Sequence, residues 1–366
     1  MALSKVNPNL ITNGGSRKNL IINGAMNVAQ YATSKTGLGA NGGTYSTVDR
    51  FRFDFGSTAG RLTATQTSIT DLAGFANCTK LDCTTADTSI AAGEYFQFVQ
   101  RIEGQDLQQL AYGTSSAKTT TISFYVKGTA KTYMCEIHDA ENTRLVQQQF
   151  NVTTSWTRVS LTFAGNTSGT IADSSALGLY LNFWLHAGST YTSGTYNANT
   201  WKAQSNADRA VGIGSFFSST SNELFITGIQ MEVGSVATDF EHRTYAESLL
   251  ACQRYYEIIA KPTAADDSPY FGIGHGVKSD QINWFYDFKA EKRAPITLIV
   301  NTVTNGYYGK NHSSEKNKET LGITMAHQSL HSIMGYMTGI TGVTEQTAYS
   351  MQCNGAGCLI AASAEL

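Results

Sequence analysis

Leu179-Tyr-Leu-Asn-Phe-Trp-Leu-His186 reads as a β-strand with two different faces. Leu179, Leu181, Phe183 and Leu185 alternate with Tyr180, Asn182, Trp184 and His186. A period of two sets the aliphatic residues against a core and turns the others outward. The pattern recurs along the chain. Ile122, Phe124 and Val126 alternate with Ser123, Tyr125 and Lys127; Thr157, Val159, Leu161 and Phe163 alternate with Arg158, Ser160 and Thr162. Phe225, Ile229, Met231 and Val233 form a weaker set. Strand after strand, with turn residues between and no helical pattern, predicts an antiparallel jelly roll or β-sandwich over residues 19–243. Ser189 to Asp208, rich in Ser, Thr and Asn, reads as a long loop holding Tyr191, Tyr196 and Trp201. No short period repeats, which argues against a solenoid.

Past this domain the period changes. Thr244 with Glu247 has the spacing of a capping box. Tyr245, Leu249, Cys252, Tyr256 and Ile259 follow at helical spacing, and Lys261-Pro262 is a stop. This predicts a helix over Thr244–Ile259, assigned to residues 244–260. So short a helix is marginal alone, so its apolar seam needs a partner, either the flanking β bodies or the same helix in sister subunits. Residues 261–366 return to alternation: Ile282, Trp284, Tyr286 and Phe288 against Asn283, Phe285, Asp287 and Lys289. Ile296 to Val300 is largely β-branched, and Ser313 to Thr320 reads as a charged loop. Residues 1–18 are polar, and Asn9-Leu-Ile-Thr-Asn-Gly is echoed by Asn19-Leu-Ile-Ile-Asn-Gly, which reads either as an anchoring arm or as two short strands each ended by an Asn-Gly turn. The expected fold is mostly β: a jelly-roll or β-sandwich domain, a short linking helix, and a second, smaller β-sandwich domain.

Charged residues make up 15% of the 366, against about 25% in typical globular proteins. A surface of hydroxyls and amides suits a hardy extracellular or particle-bound protein. A net charge of −2 gives no electrostatic reason to expect nucleic acid or an anionic membrane as partner. No segment approaches the apolar length that membrane insertion needs. The first fifteen residues, MALSKVNPNLITNGG, lack an apolar stretch of signal-peptide length, so synthesis in a cytoplasm is expected. Cys78, Cys83, Cys135, Cys252, Cys353 and Cys358 include no CxxC pair. An even count permits disulfides, while thin scattering over a long chain favours buried free thiols, with Cys252 a core residue on the helix seam.

Several phrases taken together resemble fibre proteins of tailed bacteriophages, especially marine and cyanobacterial ones. They are Lys5-Val-Asn-Pro-Asn-Leu-Ile, Asn19-Leu-Ile-Ile-Asn-Gly-Ala-Met-Asn-Val-Ala-Gln, Val48-Asp-Arg-Phe, Ile229-Gln-Met-Glu-Val-Gly, Ala237-Thr-Asp-Phe-Glu-His-Arg, Cys252-Gln-Arg-Tyr-Tyr-Glu, Arg293-Ala-Pro-Ile-Thr and Ala364-Glu365-Leu366. The inserted Ile296 departs from the family's Arg-Ala-Pro-Thr phrase and leaves the start of that strand open. The resemblance implies an N-terminal jelly roll like those of carbohydrate-binding modules. It also implies a homotrimer, a virion location after assembly in the host cytoplasm, head or tail proteins as partners, and a receptor-facing role.

Flat aromatic faces with amide or imidazole partners suit sugars. Tyr180, Asn182, Trp184 and His186 supply such a mix, a neighbouring strand is expected to add Tyr125 and Lys127, and the loop adds Tyr191, Tyr196 and Trp201. The competing reading packs these residues under the long loop, a sister subunit or the second sheet. His327 and His331 have metal-ligand spacing only if helical, so no metal or cofactor is expected. Gly272-Ile-Gly-His-Gly lacks dinucleotide-loop spacing and reads as a strand bend. No nucleophile elbow or phosphate loop is present. A depolymerase needs paired carboxylates in a groove. Asp139 and Glu141 are explained by a hairpin tip, Asp266-Asp267 by a linker, and Glu94, Glu232 and Asp287 fall in strands with no pairing evident. The expectation is a non-enzymatic trimeric virion fibre that adheres to host polysaccharide. The alternatives are a decoration fibre without sugar affinity and a depolymerase tailspike.

Overall fold

A computed structural model describes residues 17–264, 267–301, 306–311, 315–317 as backbone, 323–353 and 357–366. Most of the expected arm, the first Asn-Leu-Ile phrase, Asp266 and the greater part of the Ser313–Thr320 loop lie outside the described residues. The chain divides into two compact units, Met1–Thr244 and Tyr245–Leu366.

Unit 1 contains β1 (Ser34–Leu38), β2 (Gly42–Tyr45), β3 (Phe51–Gly56), β4 (Arg61–Ser68), β5 (Asn77–Thr85), β6 (Tyr95–Glu103) and β7 (Thr120–Gly128). It continues with β8 (Lys131–Asp139), β9 (Arg144–Val152), β10 (Thr157–Phe163), β11 (Leu177–Ala187), β12 (Lys202–Ala203) and β13 (Glu223–Val233). Two antiparallel sheets result, β1-β4-β5-β13-β7-β10 and β12-β9-β8-β11-β6-β3-β2. Their facing sides bury Leu81, Ile122, Phe124, Ile226 and Met231 from the first and Phe53, Phe98, Ile137, Phe150, Leu181 and Phe183 from the second. The quoted stretch is β11, with its aliphatic set in this core as its period requires.

The weak alternation near Phe225 has a physical cause. Leu224 and Ile226 point inward, yet so do Ile229 and Met231, which are out of phase with them. A register shift between Thr227 and Gln230 reverses the parity, and Gly228 adopts φ +63° there. An extra residue flips every later side chain to the other face. Phe225 therefore lies outside against Trp156, whereas Val233, in phase with Met231, is exposed because the strand ends there.

Unit 2 begins with a helix shorter than its apolar spacing predicts, Tyr245–Gln253. Tyr256–Ala260 is a strand, β14, paired with β23 (Ile360–Ser363), which also pairs with β17 (Thr297–Val300). Aromatic and β-branched residues prefer a pleated surface, and the available ladder partner overrides the helical spacing. Tyr245 is 59% exposed and Leu249 half-buried, whereas Cys252, Tyr256 and Ile259 are buried, so the five form no single helical seam. The remaining strands are β15 (Tyr270–Lys278), β16 (Gln281–Asp287), β18 (Tyr307–Lys310), β19 (Glu315–Asn317), β20 (Ile323–Gln328), β21 (Ser332–Thr338) and β22 (Ala348–Cys353). They form one sheet, β19-β18-β22-β15-β16-β21-β20. Strand β19 replaces part of the expected charged loop. Ile296 is buried just before β17, its N–H donating to Gln328 Oε1 at 2.6 Å, so the extra residue anchors the strand rather than opening it.

The phrases around Glu257 and Arg293 meet in unit 2. Glu257 accepts from Lys292 Nζ at 2.5 Å and from the Tyr286 hydroxyl at 2.7 Å. Lys292 also donates to the Gln253 carbonyl at the helix end, and Arg293 Nε donates to the Ala364 carbonyl at 2.9 Å. None of the six cysteines forms a disulfide, and all are buried. No helix among the described residues is long and apolar enough to cross a membrane.

Candidate functional site

The outer face of the β12-β9-β8-β11-β6-β3-β2 sheet carries Tyr180, Asn182, Trp184 and His186, and a strap formed by residues 188–215, which holds Tyr191, Tyr196 and Trp201, covers half of it. Trp184 is 1% exposed, Asn182 2% and His186 0%. Trp184 packs against Tyr95 and Tyr191, and the Arg209 guanidinium lies 4.7 Å from its ring centre. With Met134 and Ala210 it forms a second, small core between strap and sheet. Tyr191 belongs to that core. The Tyr196 hydroxyl accepts from the Gln149 N–H at 3.0 Å, and Trp201 donates from Nε1 to the Ala164 carbonyl at 2.7 Å. These loop aromatics are fasteners. The alternation placed Trp184, Asn182 and His186 on the correct face but is blind to a segment folding back over it.

Arg209 ties the strap down electrostatically. Its guanidinium donates to both oxygens of Glu136, at 2.6 and 3.0 Å, and Asn182 donates to the same carboxylate at 2.8 Å. Burial opposes ionisation of Glu136, but Arg209 outweighs it and holds the carboxyl below its ordinary value. Gln147 and Gln149 donate to the Asp208 and Val211 carbonyls, completing the seam.

The half of the face that the strap leaves is polar and only part-buried, with the side chains of Arg52, Asp54 and Arg101 19%, 15% and 18% exposed. His138, Tyr180 and Arg101 occupy adjacent strands in register. The His138 and Tyr180 rings stack with centres 5.2 Å apart, and Arg101 lies 5.3 Å from the Tyr180 ring centre. Beside them Arg52 and Arg101 flank Asp54, at 3.1 and 3.8 Å. Burial raises the Asp54 carboxyl against the pull of Arg52 and lowers the His138 imidazole despite Glu136. Sequence reasoning found Tyr180 but missed Arg52, Asp54, Arg101 and His138. Arg52 and Asp54 do alternate with Phe51, Phe53 and Phe55, and this is the signal that could have revealed them.

Tyr125 is not part of this face. Its strand, β7, pairs with β10 and β13 in the other sheet, where Tyr125 contacts Phe75 and Arg158. Lys127 pairs there with Asp71 beside Trp156 and Phe225. His327 lies on β20 and His331 in the following turn, so the helical spacing a shared metal would need is not realised. Asp139 is buried at the end of β8 and accepts from the Asn142 N–H, a turn role.

No family model matches the chain, and no curated protein matches it. Among solved structures it is similar to the enzymatically active domain of tailspike protein 4 of bacteriophage CBA120, at 12% identity and TM-score 0.30, over 59% of this chain and 21% of that one. The chain thus spans about a fifth of that tailspike domain's length. A CBM4 structure matches at 13% identity and TM-score 0.30, over 58% of this chain and 98% of that one. TmCBM61 in complex with β-1,4-galactotriose matches at 8% identity and TM-score 0.30, over 60% and 100%. Scores this low carry no argument about activity. The class that the fold itself defines is a mostly β protein built from antiparallel sandwich sheets.

Proposed function

We propose that the chain is a non-enzymatic fibre protein of a tailed bacteriophage, and that unit 1 binds host surface polysaccharide on the half of its sheet that the strap leaves. The observation that carries the glycan reading is the row His138, Tyr180 and Arg101 with Arg52 and Asp54 alongside. Guanidinium and carboxylate groups suit vicinal hydroxyls in bidentate fashion, and the Tyr180 hydroxyl and His138 imidazole add further partners. The carbohydrate-binding modules among the structural neighbours agree with this reading without carrying it. The virion role rests on the ordered phrases from Asn19 to Leu366. Shallow sites repeated on several chains gain avidity that one site lacks. Self-association is supported by the apolar side chains that unit 2 exposes, Tyr245, Leu250, Tyr270, Ile273 and Phe285. A homotrimer is the expected state. Asp87 and Glu94, brought together by the fold, are 4% and 7% exposed and out of a polysaccharide's reach, and Asp82 and Glu223, paired across β5 and β13, are both held by Lys80 Nζ, at 2.8 and 3.5 Å.

The test is a polysaccharide array with the full chain, followed by titration of the best ligand. Arg101→Ala and Tyr180→Ala should each lower affinity at least tenfold while leaving the melting temperature within a few degrees. Absence of any glycan binding by the wild-type chain, or unchanged affinity in both variants, overturns the site. Light scattering on the same preparation reports the trimer, and release of reducing ends from the bound polysaccharide would reverse the non-enzymatic reading.

A further inference from the structure

We propose that Asp87, Glu94 and His186 form a site for a divalent transition-metal cation that clamps the two ends of the strap. Asp87 lies on the β5–β6 loop, Glu94 immediately before β6, and His186 near the end of β11. One ligand atom from each, two carboxylate oxygens and a ring nitrogen, lie within 4.8 Å of one another. His186 Nε2 is 3.7 Å from Glu94 Oε2, near the ~3.4 Å that separates two ligands of a tetrahedral zinc.

Three independent observations converge here. His186 is fully buried, and Nε2 has no hydrogen-bond partner. A buried polar nitrogen without a partner is costly, and here it faces the two carboxylates. The other ring nitrogen, Nδ1, lies 2.8 Å from Ser215 Oγ, which orients the ring as an outer-shell partner of a metal-bound histidine does. Finally, among the described residues no lysine or arginine ion-pairs with Asp87 or Glu94, although both are buried. A dication supplies the missing compensation. A proton shared between the two carboxylates would still leave Nε2 without a partner.

The chemical class follows from the donors. One imidazole with two carboxylates suits Zn²⁺, Co²⁺ or Mn²⁺, whereas Ca²⁺ and Mg²⁺ take oxygen-only shells. Asp87 is already held by Thr58 Oγ1 at 2.9 Å and the Ala59 N–H at 3.1 Å, and Glu94 by the Ala91 N–H at 3.0 Å, so the ligands are preorganised. The strap leaves the sheet two residues after His186, where the Gly188 N–H donates to the Glu94 carbonyl, and ends at Ser215. Metal at this point joins the loops at Thr58 and Asp87 to both ends of the strap.

The experiment strips the full chain with chelator and titrates it with Co²⁺ and then Zn²⁺. One equivalent of Co²⁺ should produce visible ligand-field bands that Zn²⁺ abolishes. Zn²⁺ at a hundredfold excess over Kd should raise the melting temperature by roughly 5 °C or more and slow proteolysis within residues 189–214. His186→Ala should abolish the bands and the shift, and His327→Ala should leave both intact. If His186→Ala does not fold, Glu94→Gln takes its place with the same expected loss. Absence of stoichiometric metal at 100 μM-scale concentrations (about tenfold above the protein), or full binding by folded His186→Ala, overturns the proposal.

Discussion

Replacing Trp184 by alanine tests whether the sheet face is a packed seam or an open sugar platform. The indole is 1% exposed and sits between Tyr95, Tyr191 and the Arg209 guanidinium. Truncating a buried tryptophan costs about 3–5 kcal/mol through lost transfer energy and the cavity left behind. Loss of the cation–π contact adds roughly 1 kcal/mol and loosens Arg209, the partner of fully buried Glu136. For a unit the size of residues 17–244 each kcal/mol moves the melting temperature by about 2–4 °C, so the combined loss of about 4–6 kcal/mol in Trp184→Ala should lower it by roughly 8–24 °C. If the strap detaches before the sandwich unfolds, the loss is registered as rapid cleavage within residues 189–214 instead. Calorimetry and limited proteolysis of the full chain read the two cases. A melting temperature within 1 °C of wild type, with the strap equally resistant and glycan affinity lost, would refute the packed-seam reasoning and return Trp184 to the binding surface.

In unit 2, Glu257→Gln should destabilise by about 3–5 kcal/mol because it strands the buried Lys292 ammonium, both side chains being 0% exposed. A double variant with Lys292→Met should cost less than the sum of the two singles, and an additive chemical-denaturation cycle would refute the pairing. Glu136 titrates below its ordinary value in the folded chain. Its share of the stability is therefore full above the unfolded carboxyl pKa of about 4.3 and is lost as pH falls through the lower folded value. The acid limb of the stability curve should be shallower in Glu136→Gln, and an identical limb would show that the Arg209 pair does not govern it. Gly335 leaves room for the Trp284 indole, since an added Cβ would sit 2.3 Å from Cε2. Gly335→Ala should shift the near-ultraviolet tryptophan signal and lower the melting temperature of unit 2; an unchanged spectrum would disprove the contact.

Alternation along single strands was enough to specify that this chain is mostly β, where its sandwich cores lie, and which residues of β7, β10, β11 and β16 face inward. Those properties depend on neighbours in the chain and on a period of two, both written in the sequence. Tertiary structure decided everything that depends on partners distant in sequence. The segment Tyr256–Ala260 has helical apolar spacing, yet Ile360–Ser363 offers it a ladder and it becomes a strand. A single bulge at Gly228 turned Phe225 outward. Trp184, Asn182 and His186 carry outward-facing codes, but a strap anchored by Arg209, Tyr196 and Trp201 buried the face they share. Pairing of β11 with β6, and of β6 with β3, brought His186 against Glu94 and Asp87, which lie about a hundred residues upstream, and set Tyr180 beside Arg101, Arg52 and Asp54. Which side chains meet solvent is settled by what folds over them, and local periodicity holds no record of that.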